Sequence, residues 1–200
     1  MKTSTLVLLS ILGFILLLGG CVGCGSINFQ KSTVGLQENV NEKWGKVQSA
    51  YQRRSDLIPN LVSTVKGEAN FEQTTLTNVV EARAKATQMQ VNANDLTPEK
   101  LQQFQQAQGQ ISQALGKLLS ITENYPNLKA NEAFRGLQAQ LEGTENRINV
   151  ARNDFNETVK DYNSTIKAFP NNFYSGWFGF KERGYFQAEA GSEKAPQVKF

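Results

Sequence analysis

Histidine is absent from all 200 residues. That removes a histidine general base, the Ser-His-Asp and Cys-His nucleophilic arrangements, and histidine-ligated zinc or iron. The Glu-x-x-His pattern of di-iron bundles goes with it. Cysteine is scarce. Cys21 and Cys24 are too few for a disulfide-stapled scaffold, and their Cys-Val-Gly-Cys spacing has no second pair with which to build a zinc site. An excess of one charge is also missing. The 21 Lys and Arg stand against 18 Asp and Glu, which excludes the basic footprint of a nucleic-acid binder. No Gly-rich phosphate loop is present. Prolines number only five, whereas Asn and Gln number 18 each. This is the composition of long helices with amide-rich polar faces. No catalytic group, metal or cofactor is expected.

What the chain does have begins at its N-terminus. Residues 6–25 carry no charge. About 20 apolar residues in a helix cover roughly 30 Å, the hydrocarbon thickness of a bilayer. The segment is expected to be a transmembrane helix or the apolar part of an export signal. The string Leu18-Gly19-Gly20-Cys21 resembles the end of a bacterial lipoprotein signal, in which a Leu stands three residues before an acylated Cys. Cys21 is therefore a candidate lipid anchor, and cleavage with acylation stands beside an uncleaved anchor. Lys2 favours a cytoplasmic start, which leaves the rest of the chain outside the cytoplasm.

Beyond residue 26 the apolar residues recur at helical spacing. Val40, Trp44, Val47, Tyr51, Ile58, Leu61, Val62 and Val65 share one face, with Pro59 expected to kink the helix and Gly67 to stop it. A second helix is expected from Phe71 to about Ala93, with Leu76, Val79, Val80, Ala86 and Val91 as its stripe. Thr97-Pro98-Glu99 is a cap, a first-turn proline and a dipole-favoured acid, so a third helix starts there. Its Gln102–Gln113 cluster reads as a solvated face. In the fourth helix Phe134, Leu141, Ile148, Phe155, Tyr162 and Phe169 follow at intervals of seven, the pattern of coiled-coil-like packing. Asn131 caps it and Pro170 stops it.

The expected fold is all-α: an elongated antiparallel bundle of about four long helices over 26–170, an N-terminal membrane segment at 1–25, and an aromatic-rich C-terminal tail at 171–200. Nine of 19 aromatics lie from Phe169 onward. Trp177, Phe178 and Phe180 are candidate contacts for a partner or a membrane, against the alternative that the tail folds back onto the bundle.

Several strings resemble the LemA family. Tyr51-Gln52-Arg53-Arg54-Ser55-Asp56-Leu57-Ile58-Pro59-Asn60-Leu61-Val62 is one. Tyr125-Pro126-Asn127-Leu128-Lys129-Ala130-Asn131-Glu132 and Leu141-Glu142-Gly143-Thr144-Glu145-Asn146-Arg147-Ile148 are others, and Phe178-Gly179-Phe180-Lys181 is similar to the family's C-terminal element. The resemblance implies a bacterial membrane-attached helical bundle of undefined biochemical role. It does not imply an enzyme.

Within those strings Arg53, Arg54 and Asp56 could pair with Glu142 or Glu145, as a polar network that fixes helix register or as a small anion or peptide site. The function expected is a non-enzymatic, membrane-anchored scaffold or adaptor of the cell envelope, with the bilayer and another envelope protein as partners and no nucleic acid. The alternative is an envelope enzyme using carboxylate or arginine chemistry, which would need these residues to line one pocket.

Overall fold

The computed structural model describes residues 3–68 and 71–188; the side chains of 3–9, 15, 18, 19, 21, 22 and 24 lie outside it. Among the described residues the chain is all-helical, with no strand. Six α-helices follow in order: α1 Thr3–Lys66, α2 Gln73–Gln88, α3 Pro98–Thr122, α4 Pro126–Ala130, α5 Glu132–Lys167 and α6 Asn171–Phe178. A 3-10 turn, Ala93–Asp95, separates α2 from α3. The chain divides into two compact units.

The larger unit comprises Val40–Val159 and Arg183–Phe200. Its helices share an apolar core. Leu57, Ile58, Leu61 and Val65 of α1 pack with Leu76 and Val79 of α2, Ile111, Leu115 and Leu118 of α3, Leu128 of α4, and Phe134 and Leu141 of α5. A second cluster is aromatic. Trp44 lies 5.2 Å from Phe104, 5.6 Å from Phe155 and 6.2 Å from Phe186 between ring centroids. The first two contacts are edge-on and tilted, geometries that suit aromatic quadrupoles.

Local sequence explains most helix ends. Thr97 Oγ1 accepts from the Lys100 amide and Pro98 opens α3. Asn131 Oδ1 accepts from the Phe134 amide before α5. The heptad residues Phe134, Leu141, Ile148, Phe155 and Tyr162 are all buried. Phe169 departs from the pattern at 82% exposure. α5 ends at Lys167, so Phe169 no longer follows the helical repeat.

One other expectation changes. α2 is shorter than its pattern, and Val80 is exposed. The chain leaves the helix at Met89 because Val91 serves better outside it. There it is buried, and its carbonyl accepts from Trp44 Nε1 at 3.1 Å and from Gln48 Nε2 at 3.3 Å. Pro59 sits inside the continuous helix α1. It has no N–H, which leaves the Ser55 carbonyl without its helical donor. Arg83 of α2 fills that vacancy, donating from Nε at 2.9 Å.

The smaller unit comprises Met1–Asn39 and Lys160–Glu182. Here α6 packs on the early part of α1. Phe29 is buried against Tyr174, Phe178 and Phe180, with centroids 5.7, 6.4 and 5.8 Å away. Ser175 Oγ donates to the Ile166 carbonyl and Asn171 Nδ2 to the Thr165 carbonyl, which fixes α6 against the end of α5. Gly179 takes a φ of 73° and ends α6, the left-handed conformation glycine adopts without penalty. Among the described residues no helix is long and apolar enough to cross a membrane. The expected membrane segment is not seen among them, since side chains 6–9, 15, 18, 19, 21, 22 and 24 fall outside. The lipid-anchor reading of Cys21 lies outside them too.

Candidate functional site

The strongest polar constellation centres on Arg54, which is only 2% exposed. Its guanidinium fork is used on both arms. Nη1 donates to Ser112 Oγ at 2.8 Å and to Glu145 Oε2 at 3.0 Å. Nη2 donates to the backbone and side-chain oxygens of Gln108 at 3.0 and 2.9 Å. The guanidinium carbon lies over the Tyr51 ring, 5.0 Å from its centroid. A buried guanidinium needs such partners, because burial without them costs several kcal/mol. One side chain of α1 thus ties together α3 and α5. Glu145 remains 42% exposed, so one partner of the pair reaches water.

The other residues proposed beside Arg54 do not join it. Arg53 donates to Gln140 Oε1 at the surface. Asp56 accepts from Gln52, one turn back in α1, and Glu142 accepts from Gln138 of α5. Of the five candidates only Arg54 and Glu145 meet. Gln108 and Ser112 were missed, and so was Arg83. Gln108 had a signal, since it lies four residues after Phe104 and three before Ile111, inside the apolar stripe of α3. The Gln cluster is therefore not solvated throughout.

Beside this network lies a cleft of about 600 Å³. Gln48, Gln52, Gln90, Asn92 and Gln108 line it together with Tyr51 and Phe104, and every described residue lining it is uncharged. Arg53, Arg54, Asp56, Glu142 and Glu145 do not line it. Among the described residues no group of three or more Cys, Asp or Glu is placed to hold a metal ion.

Charge pairs elsewhere lie at the surface. Lys43 Nζ meets Asp154 Oδ2 at 2.9 Å. The hydrogen bond to Asp154 holds the Lys43 ammonium above the usual lysine range. Lys46, one turn along α1, donates to Glu42 and holds its carboxyl below the usual range.

The C-terminal aromatics fall into two groups. Residues 183–188 dock into the larger unit. Phe186 is buried, its amide donates to Asn156 Oδ1, and its carbonyl accepts from Asn156 Nδ2, both at 2.9 Å. Gln105 holds Gln187 in the same two-point manner, at 2.7 and 3.1 Å. Side-chain amides here replace the neighbouring strand of a sheet. Trp177, by contrast, is 79% exposed on α6. Phe178 and Phe180 turn their rings toward Phe29.

No curated protein matches the chain. The family model of the LemA family matches residues 43–200, which include the Arg54 network, the amide cleft and the docked tail. On that match the chain belongs to the LemA family.

Proposed function

We propose that this protein is a non-enzymatic, membrane-attached helical scaffold of the bacterial cell envelope that binds another envelope protein. One observation carries the reading. The helix that contains the uncharged apolar run 6–25 is the same helix, α1, that supplies Val40, Trp44, Val47 and Leu61 to the core of the larger unit. A run of that length suits a bilayer. The soluble part lies outside the cytoplasm on the charge asymmetry around the run, with Lys2 before it and Lys31 the next charge after it. The Arg54 network supports a structural rather than a reactive role, because its charges are taken up in holding helices together.

The test is copurification from membranes in mild detergent after cross-linking, with mass spectrometry of the mature N-terminus. A recurrent envelope partner is expected. A clean monomer under every condition counts against a scaffold. Acylated Cys21 would establish lipid anchoring, and an intact Met1 would establish an uncleaved helix. One observation favours a second reading. The uncharged cleft lined by amides suits the backbone of a short polar peptide, and titration with peptide libraries would reveal saturable binding that Gln108→Leu removes.

A further inference from the structure

We infer that α6 is an interfacial helix whose outer aromatic face, formed by Phe173 and Trp177 and extended by Phe169, lies in the lipid headgroup region. The inference rests on the membrane-attached reading above and deepens it. Phe169, Phe173 and Trp177 are 82%, 66% and 79% exposed. Phe173 and Trp177 are one helical turn apart, and the Phe169 ring packs edge-on to Phe173 at 6.0 Å. They form one stripe. The helix contains no charged residue: its sequence is Asn-Asn-Phe-Tyr-Ser-Gly-Trp-Phe. Large exposed aromatics in a soluble surface mark a contact with something else.

The level of α6 along α1 identifies the occupant. The Tyr174 hydroxyl comes so close to Gly25 that a Cβ there would stand 3.3 Å from it. Gly25 is the last residue of the apolar run. Phe29, one turn further, is the residue on which Tyr174 and Phe178 pack. A run that crosses about 30 Å of hydrocarbon therefore ends where α6 docks. Ile11, Leu12, Phe14, Leu16 and Leu17 of the run are themselves more than half exposed, and Ile27, two residues past its end, is 53% exposed. Exposed apolar side chains thus occur both along the run and on α6. Tryptophan and other aromatic side chains favour this depth, where a ring is buried and a polar edge stays wet. An uncharged helix binds there by apolar contact and not by attraction to anionic lipid.

Trp44 is fully buried, so Trp177 is the tryptophan that can report on lipid. The full chain is reconstituted into phosphatidylcholine vesicles brominated either high on the acyl chain or near its methyl end. Co-flotation of protein with vesicles is scored in the same samples. Expected is strong quenching by the shallow bromines, weaker quenching by the deep ones, and loss of the quenched component in Trp177→Phe. Phe169→Ser with Phe173→Ser should reduce the shallow quenching while the chain still floats. A chain that floats with Trp177 unquenched overturns the interfacial helix and leaves the anchor standing. Unquenched emission that is nonetheless blue-shifted overturns it in favour of a protein, a second copy included, covering the face. A chain that does not float overturns both the anchor and this inference.

Discussion

The two tryptophans lie at opposite extremes: Trp44 is 0% exposed in the larger unit and Trp177 is 79% exposed in the smaller one. The same contrast divides the aromatics around them. Phe104, Phe155 and Phe186 close around Trp44, whereas Phe169, Phe173 and Trp177 face outward. The larger unit uses its aromatics for its own stability. The smaller unit leaves three of them uncovered, which is a poor use of apolar area unless another medium covers it. A pair of substitutions breaks the comparison most sharply. Trp44→Ala should destabilise the fold by about 3–5 kcal/mol in urea unfolding, the range for deleting a buried aromatic. Trp177→Ala should stay within about 0.5 kcal/mol in the same lipid-free assay. Equal losses would show that Trp177 is not a surface residue.

The next effect tests whether the Arg54 network is structural. Arg54→Met keeps much of the apolar stem but strands the oxygens of Gln108, Ser112 and Glu145. A loss of about 2–3 kcal/mol is expected. Glu145→Gln should cost less, about 1 kcal/mol, because Glu145 is partly exposed and the amide oxygen still accepts. If Arg54→Met left unfolding unchanged while abolishing partner capture, the network would be a binding site and not a brace. Smaller again is Gly184→Ala. A Cβ at Gly184 would stand 2.8 Å from the Pro98 Cα, and its amide donates to the Leu96 carbonyl, so neither side yields easily. About 1–2 kcal/mol of overpacking is expected, with faster proteolysis of the docked tail as a second readout.

Legibility divides along another line, local chemistry against distant partners. Where local chemistry decides an outcome, the reading was close. Thr97 and Asn131 cap as their side chains dictate, and the five heptad positions that fall within α5 are all buried. Where a residue's role depends on a partner distant in the chain, it was not. Val91 fits a helical stripe, yet its carbonyl is required by Trp44 and Gln48, and no local rule weighs that. Gln105 looks like any other residue on a polar face until the tail arrives, and the place of Gln108 inside the apolar stripe marks it as buried without naming Arg54 as its partner. Arg54 could be matched to Glu145 by charge, but Ser112 offers no charge to follow. Phe169 fell the other way: it kept the spacing of seven after the helix that gave the spacing meaning had ended.

Arg83 and Pro59 provide a finer test of that long-range logic. If Arg83 stands in for the donor that Pro59 lacks, the two should be coupled. Arg83→Met should cost about 0.5–1.5 kcal/mol, as a backbone oxygen loses a charged donor. In a Pro59→Ala background the replacement residue supplies the missing N–H to the Ser55 carbonyl, and Arg83→Met should then cost visibly less. Additive effects would mean that Arg83 acts through packing and that the Ser55 carbonyl is satisfied some other way.

The smallest expected effect concerns Lys43 and Asp154, and its sign follows from the direction of one shift. The hydrogen bond to Asp154 holds the folded-state Lys43 above the ordinary lysine value. A group raised on folding binds its proton more tightly in the native state than in the unfolded chain. Its contribution is complete below the unfolded value, about pH 10, and fades as pH rises through the higher folded one. Both side chains are substantially exposed to solvent, so salt should weaken the contribution further. Stability measured between neutral and strongly alkaline pH should therefore fall slightly more in the native protein than in Asp154→Asn, with the gap closing in high salt. An Asp154→Asn variant that tracks the native curve through that window would reduce the pair to two neighbours at a surface. The contrast between the units would then rest on buried groups alone, since the exposed ion pair would add nothing to either side of it.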